Sequence, residues 1–350
     1  MGGTSAEHDV SVNSGLNVLD ALSTAGYRAS PVYLRRDGVW RFDHRPAAPS
    51  LERAPGDRGA SMSSEPESPV ATPAAGVLET LRDRAYDVVF IALHGPGGED
   101  GEIQGLLTHA GLPFTGTGIL ASALAMDKVR AKRLLASEGI PVAAEYVVDR
   151  SAGRGSGRAA IERVGLPCVV KPVAGGSSFG TQVVRSDELI EPAIAAALEH
   201  DRRALVERYV EGRELTCGVL GGGCEPAEAL PLTEIRPIGE EFFDFRAKYT
   251  AAACDEITPA QIDAGVAREI RDLARRAHDA LGCEGVSRGD FILGGDGPVM
   301  LEVNTIPGFT RTSLLPQGAA AAGIDFEALV DRLVASALCR AAGDPTPVVR

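Results

Sequence analysis

Apolar positions in the first third of the chain predict strands that alternate with helices. A helix-like period ends at Gly26, and a short β-like run follows at 32–34. Residues 87–93 (DVVFIAL) form a continuous apolar run that is typical of a buried parallel strand. Further helix-like segments are expected at 102–110 and 119–137. This order predicts a small parallel sheet covered by helices.

The remainder of the chain has short β-like runs around longer helices. Beyond a flexible connector at 151–158, three short β-like runs and a helix predict a compact antiparallel α+β unit. A long amphipathic helix then precedes two β-like runs at 286–293 and 299–303, and a final helix is expected at 326–338. Residues 43–75 are rich in Pro, Ser and charge without an apolar period, which indicates a surface insert.

Length and charge limit the classes of protein that fit. A chain of 350 residues is long enough for several domains, and we expect three, at 1–126, 127–215 and 216–350. The net charge of −13 disfavours nucleic acid and anionic membranes as partners. Because no run approaches the roughly 20 apolar residues of a membrane span, and no signal peptide is apparent, we expect a cytoplasmic protein. Six cysteines without C-x-x-C spacing are expected to be reduced.

Two glycine-rich segments are candidates for binding phosphate groups. Residues 175–180 (GGSSFG) follow a predicted strand that ends near Lys171, so backbone N–H groups and one cation would face the same anion, although a plain hairpin is the alternative. Residues 116–121 match a dinucleotide fingerprint, with Glu138 at a suitable distance. Glu138 falls near the end of a predicted helix and not at a strand tip, which argues against NAD. The Walker sequence is absent.

The predicted hairpin near the carboxyl end carries the strongest intrinsic signal. Glu302 and Asn304 share one face of a strand because side chains alternate with a period of two, and Asp290 can join them across the hairpin. Such hard oxygen ligands suit Mg²⁺. Three solvated polar residues are the alternative, but an otherwise apolar hairpin does not need them.

Three further residues are weaker candidates. His94, close to Glu99 and Asp100, is a candidate for acid–base chemistry or for bracing its loop. Lys128 and Lys132 are spaced to share one helix face, for which a solvated surface is the default.

Several segments together resemble the D-alanine–D-alanine ligases of the ATP-grasp superfamily. The resemblance runs in family order through GGTSAEHDVSVNSG, ALHGPGGEDGEIQG, FTGTGILASALAMDK, VVKPVAGGSSFG, LVERYVEGREL, FFDFRAKY, RGDFIL and LEVNTIPGFTRTSLLP. It implies an α/β (α+β) ATP-grasp architecture, with an N-terminal parallel-sheet domain, a small central α+β domain and a C-terminal α+β domain. It also implies ATP-dependent joining of two D-alanines through an acyl phosphate, for peptidoglycan synthesis.

The resemblance implies a role for each matching residue. Two Mg²⁺ ions, or Mn²⁺ in their place, would be held by Asp290, Glu302 and Asn304. ATP would be bound by Lys128, Lys171, Ser178, Glu207, Glu214 and Lys248. The substrates would contact Glu7, His94, Ser313 and Leu314, while Arg288 and the Gly308 N–H would stabilise the oxyanion. Glu7, Ser177 and Tyr249 would form a triad that fastens a mobile loop over the site. A homodimer is also implied.

The start of the chain departs from the family pattern. Family members usually have an apolar strand before the Gly-Gly-Thr-Ser loop, whereas this chain begins on the loop. Either the true start lies upstream or the first sheet lacks its central strand, and without that strand we expect Glu7 to be held from one side only. Two alternatives therefore remain open. One is an ATP-grasp ligase for another pair, such as D-alanine with D-serine, and the other is an inactive nucleotide-binding homologue lacking the first strand.

Overall fold

The computed structural model describes most of the chain. The described residues are 1–49, 71–72, 74–152, 155–176, 180–238 and 254–343. Most of the insert predicted at 43–75 lies outside these ranges, as do four predicted site residues, Ser177, Ser178, Lys248 and Tyr249. None of the helices within the described ranges has the length and apolar character needed to cross a membrane.

The first part of the chain combines helices with a small sheet. Its elements are α1 (His8–Thr24), β1 (Val32–Leu34), β2 (Trp40–Phe42), β3 (Ala71–Thr72), α2 (Ala74–Asp83), α3 (Glu102–Ala110) and α4 (Ile119–Met126). The three strands pair antiparallel in the order β1-β2-β3. Parallel pairing occurs as isolated bridges, Gly2 with Leu34 and Val89 with Phe114. The apolar run at 87–93 is therefore extended, but it makes one bridge and not a ladder.

Residues 1–3 run alongside β1 and hold the following loop. The main-chain N–H groups of Gly3 and Leu34 donate to Leu34 and Met1, over 2.8 and 3.0 Å. Ser11, on α1, accepts from the Gly2 N–H at 2.8 Å. A side chain at Gly95 or Gly176 would collide with the Glu7 carboxylate, so Glu7 is enclosed by two loops. The expectation that Glu7 is held from one side only is therefore wrong.

The centre of the chain is an antiparallel α+β unit, as predicted, but its sheet has four strands instead of three, and a helix begins at Ser156 within the predicted connector at 151–158. Its elements are α5 (Lys128–Ser137), β4 (Glu145–Asp149), α6 (Ser156–Val164), β5 (Cys168–Pro172), β6 (Gln182–Val184), α7 (Ile190–His200) and β7 (Arg203–Arg208), with 3₁₀ turns at Arg150–Ala152 and Asp187–Leu189. The strand order is β4-β7-β5-β6. Ala160 of α6 and Ile194 of α7 pack with Val170 and Val206 of the sheet, which closes a separate core.

A larger antiparallel sheet follows, built around the predicted hairpin. Its elements are β8 (Gly212–Gly222), β9 (Glu225–Ala229), β10 (Thr233–Pro237), β11 (Cys254–Ile257), α8 (Ala264–Leu281), β12 (Gly285–Gly294), β13 (Gly297–Asn304), α9 (Leu314–Ala321) and α10 (Phe326–Gly343). The order is β11-β10-β8-β12-β13, and β9 pairs with β8. Ile270, Leu273 and Leu281 of α8 pack against Leu215 and Phe291. The sequence reading missed β8 to β11, where glycines and charged residues interrupt any alternation.

The helix predicted at 119–137 is two helices that meet at Asp127. Asp127 has an extended backbone (φ −82°, ψ 92°), and its carboxylate accepts the Arg130 N–H at 3.0 Å as the N-cap of α5. No Gly or Pro marks this break, which is why the apolar pattern did not reveal it. The break makes Lys128 the first residue of a new helix.

Two of the six cysteines contradict the expectation that all are reduced. Cys224 and Cys339 form a disulfide, because the turn between β8 and β9 lies against the end of α10. Cys168, Cys217 and Cys283 are buried free thiols.

Candidate active site

The β12–β13 hairpin brings the three predicted metal ligands together. Asp290 lies directly opposite Glu302, and Arg288 lies opposite Asn304. The Asp290 carboxylate accepts hydrogen bonds from Thr216 Oγ1 (2.7 Å), Arg288 Nε (2.8 Å) and Asn304 Nδ2 (3.0 Å). We name Arg288, Asp290, Glu302 and Asn304 the hairpin cluster. The carboxylates of Asp290 and Glu302 and the amide of Asn304 therefore lie on one face of the sheet. Hydrogen bonds from residues of neighbouring strands fix the position of the Asp290 carboxylate.

Lys128 connects the hairpin cluster to the glycine-rich loop. Its ammonium donates to the Gly175 carbonyl at 2.6 Å and lies 3.2 Å from Glu302 Oε2. The two partners come from the central and the C-terminal sheets, so one cation spans the space between them. A cleft opens here, and its lining includes Glu99, Lys128, Gly175, Gly176, Glu302 and Asn304.

The chemistry of the donors fits Mg²⁺ bound together with a phosphorylated substrate. Among the described residues, no group of three or more His, Cys, Asp and Glu side chains is arranged to hold a metal. Asp290 and Glu302 therefore supply only two carboxylates, and Asn304 adds an amide. Mg²⁺ typically takes one or two carboxylates and completes its octahedron with substrate phosphates and water. The hairpin cluster meets that requirement without a third acidic ligand.

A second charged cluster lies between α5 and the central sheet. Glu207 receives Lys132 on one carboxylate oxygen and Lys171 on the other, the latter at 2.6 Å. Only 2% of the Lys132 side chain is exposed, and burial lowers its pKa to about 8. We name Lys132, Lys171 and Glu207 the sheet cluster. The expectation of a solvated face for Lys128 and Lys132 is therefore wrong.

His94 joins three separate parts of the chain. Its Nδ1 lies 2.9 Å from the Ile306 carbonyl, and its Nε2 lies 2.8 Å from Ser14 Oγ. Because a carbonyl only accepts, Nδ1 carries the proton, and Ser14 donates to Nε2 of the neutral ring. Ser14 Oγ in turn accepts the Phe309 N–H at 3.1 Å. Burial lowers the pKa of His94 to about 4, which keeps the ring neutral.

Glu99, which the sequence analysis named beside His94 as a candidate for acid–base chemistry, belongs to the same corner. Its carboxylate accepts the N–H groups of Gly95 (2.7 Å) and Ile306 (3.2 Å). Burial, and next the charge of Glu7, raise the pKa of Glu99 to about 8. Two carboxyl groups near one cleft are well suited to receive an ammonium group. The adjacent His94 was the signal that pointed to this residue.

The predicted contacts for the second substrate lie where β13 leads into α9. Ser313 Oγ accepts the Thr310 N–H at 3.1 Å, and the main chain of Gly308 approaches the same hydroxyl so closely that a Cβ there would lie 2.9 Å from it. Leu314 begins α9 and is partly buried. Ser313 and Gly308 therefore share one turn.

The predicted nucleotide contact Glu214 lies on β8. It is paired with Ile292 of β12 and is two residues from Thr216, the partner of Asp290. The period of two places Glu214 on the same face of the sheet as Asp290. Among the predicted residues within the described ranges, Lys128, Glu302 and Asn304 line the cleft. Arg288 and Asp290 join them through the hairpin cluster, and Lys171 and Glu207 belong to the sheet cluster.

Two antiparallel α+β units that meet around a lysine- and carboxylate-lined cleft define the ATP-grasp class of nucleotide-dependent enzymes. The family models described as "D-ala D-ala ligase N-terminus" and "D-ala D-ala ligase C-terminus" match residues 1–117 and 134–335. The chain therefore belongs to the D-alanine–D-alanine ligase family.

Individual relatives are similar to this chain over nearly its whole length. The chain is 43% identical to the D-alanine–D-alanine ligase of Syntrophobacter fumaroxidans, covering 96% of each protein. It is 42% identical to that of Mycolicibacterium smegmatis, covering 98% of this chain and 95% of the relative. Among solved structures, VanG D-Ala:D-Ser ligase from Enterococcus faecalis is similar with a TM-score of 0.78 and 33% identity, over 96% of this chain and 97% of the other.

Proposed function

We propose that this chain joins two D-alanine molecules into a dipeptide with ATP as co-substrate, in the cytoplasm, for peptidoglycan synthesis. The observation that carries the proposal is the contact of Lys128 with both the glycine-rich loop and Glu302 of the hairpin cluster. That arrangement suits a nucleotide whose terminal phosphates lie between the two sheets. The curated relatives at 42–43% identity carry the D-alanine–D-alanine name, which favours D-alanine over D-serine as the second substrate.

The nucleotide is proposed to lie along the two clusters. Lys128 and Lys171 neutralise its phosphates, with Ser178 and Lys248, while Glu207 and Glu214 receive the adenine and the ribose. Asp290, Glu302 and Asn304 would hold two Mg²⁺ ions, whose charge would stabilise the negative charge on the transferred phosphate. Local cations are needed because the net charge of −13 otherwise repels a polyphosphate.

The chain's own residues then position the two amino acids. A carboxylate oxygen is a poor leaving group until it is phosphorylated, so the first D-alanine is activated as an acyl phosphate before the second attacks. Glu7 holds the first ammonium group, and its enclosure by two loops suits that role. Arg288 and the Gly308 N–H stabilise the tetrahedral oxyanion, and Ser313 with Leu314 receives the second carboxylate.

The remaining residues exclude water and fix the geometry. His94, as a neutral ring bonded to Ser14 and to Ile306, orients the main chain beside Gly308 and lines the substrate pocket. Ser177 and Tyr249, together with Glu7, are proposed to fasten a lid that protects the acyl phosphate from hydrolysis. We also propose the division into 1–126, 127–215 and 216–350, and a homodimer.

A coupled assay of ADP release tests the proposed function. The purified chain is incubated with ATP and Mg²⁺ and with D-alanine alone or paired with D-serine or D-lactate. We expect turnover with D-alanine alone, and D-alanyl-D-alanine as the product by mass spectrometry. A mixed dipeptide formed faster than D-alanyl-D-alanine would favour the other-pair ligase. ATP binding without phosphate release from any pair would favour the inactive homologue.

A further inference from the structure

Two surface cysteines meet at the edge of the C-terminal sheet, away from the cleft. Cys224 lies in the turn between β8 and β9, and Cys339 lies near the end of α10; both are exposed. They form a disulfide with a Cα–Cα separation of 6.3 Å, which is within the range that such bonds require. Cys217 and Cys283 are buried, and burial raises the pKa of each thiol to about 12. Reagents in solution therefore reach the bonded pair far more readily than those two thiols.

Ion pairs near the bond also connect α10 to β9 and to the start of β12. Arg332 lies 3.3 Å from Glu225 and 3.6 Å from Glu228, both on β9. Arg340, the neighbour of Cys339, pairs with Glu284. Because one ion pair holds α10 to β9 and the other holds it to the start of β12, these contacts would keep the two sulfur atoms close when the bond is reduced.

The bond also lies one residue from a junction with the first part of the chain. Arg340 Nη2 donates to the Phe114 carbonyl at 2.7 Å, and the Glu284 N–H donates to Thr117 Oγ1 at 3.2 Å. The cysteines are 115 residues apart in sequence, and the segment between them contains the whole hairpin cluster. The disulfide therefore fixes the end of α10, and with it the contact that Arg340 makes with the Phe114 carbonyl.

We propose that Cys224 and Cys339 form a reversible thiol–disulfide modification site that clasps the last helix to the β8–β9 turn. The oxidant is a low-molecular-weight disulfide. One cysteine thiolate attacks a sulfur of that disulfide and releases one small thiol, and the second cysteine attacks the resulting mixed disulfide and releases the other. Two cysteine thiols are thus oxidised while one small disulfide is reduced to two thiols.

The clasp acts on stability and not on catalysis. A cross-link between distant residues limits the freedom of the unfolded chain, and the effect grows with the length of the closed loop. A helix end near a chain terminus also frays less when it is tied down. Since neither cysteine lies in the cleft, we expect the same turnover at 25 °C in both forms. The proposal does not depend on the identity of the substrates.

Thiol trapping and peptide mapping test the bond directly. The full chain is equilibrated with mixtures of oxidised and reduced glutathione, alkylated without reduction, and digested with trypsin. Because trypsin does not cut before Pro237, Cys224 falls in peptide 214–246 and Cys339 in 333–340. We expect these peptides to be linked in oxidising mixtures and separate in reducing ones. Alkylation of both cysteines in every mixture, or a link through Cys217 of the same peptide, would overturn the proposal.

Thermal unfolding supplies the second readout. Oxidised wild-type protein should melt about 4–8 °C above its reduced form. Cys224→Ser and Cys339→Ser should melt near the reduced wild type under both conditions. Cys254→Ser is the matched control, because Cys254 is a free, partly buried cysteine of the same sheet, and it should keep the full redox shift. A redox shift that persists in Cys224→Ser would contradict the clasp.

Discussion

The hairpin cluster and the sheet cluster both pair carboxylates with cations, yet they differ in access to the cleft. The Glu302 side chain is 23% exposed and pairs with Lys128 at the cleft, whereas the Glu207 side chain is 4% exposed and is paired with two lysines. The first arrangement leaves carboxylate oxygens that a metal can reach. The second is closed by its own ion pairs. We propose that similar charges serve chemistry in one place and both structure and nucleotide position in the other.

The largest expected effect comes from changing Glu302 to Gln. The substitution keeps the shape of the side chain but removes the charge that would hold the metal, so kcat should fall about 10³-fold, roughly 4 kcal/mol of transition-state stabilisation. The melting temperature should change little, because the carboxylate is partly exposed. Initial rates and thermal unfolding are measured together, with Glu162→Gln as an exposed-carboxylate control. Near-normal turnover of Glu302→Gln would contradict the proposal that Glu302 binds the metal.

The sheet cluster should respond with lost stability. Glu207→Met leaves two buried lysines without their shared anion, which should lower the free energy of unfolding by about 3 kcal/mol. The double variant Lys132→Met with Glu207→Met should recover part of that loss, because one buried charge is removed together with its partner. Urea denaturation of the single and double variants measures both. If Glu207→Met is as stable as wild type, the sheet cluster does not have the structural role that distinguishes it from the hairpin cluster.

His94 should make stability fall in acid. Its pKa is about 4 in the folded protein and 6.5 ordinarily, so between these values the unfolded chain binds more protons and stability rises with pH. At pH 5 this amounts to about 2 kcal/mol lost relative to neutral pH. In the His94→Gln variant the loss between pH 6.5 and 4 should be smaller. The raised pKa of Glu99 makes stability fall as pH rises, which is opposite to the effect of His94. Since Glu99 is present in both the wild type and His94→Gln, its contribution largely cancels when the two are compared.

The hairpin cluster was predictable because its signal is local. Alternation along one strand places Glu302 and Asn304 on one face, and a tight turn brings Asp290 opposite them. Three strands of the central antiparallel sheet, β5, β6 and β7, followed from short β-like runs in the same way. Each of these features depends on residues that are close in sequence.

The sheet cluster depends on contacts that no local pattern encodes. Lys132 and Glu207 are 75 residues apart, and a lysine spaced four residues from another predicts a solvated face equally well. The same holds for Cys224 and Cys339, whose pairing requires the packing of α10 on the β8–β9 turn. Burial, and pairing between residues of distant elements, could therefore not be predicted from the sequence pattern.

The smallest expected effect tests the helix break that positions Lys128 between the hairpin cluster and the glycine-rich loop. Asp127 caps α5 and accepts Arg203 Nη2 at 2.7 Å, so Asp127→Ala should cost about 1 kcal/mol of stability. Asp127→Asn keeps a capping oxygen and should cost less, which makes it the matched control. Because Lys128 begins the same helix, KM for ATP should rise in the Ala variant with little change in kcat. If Asn and Ala weaken ATP binding equally, the ion pair with Arg203, and not the cap, holds Lys128 in place.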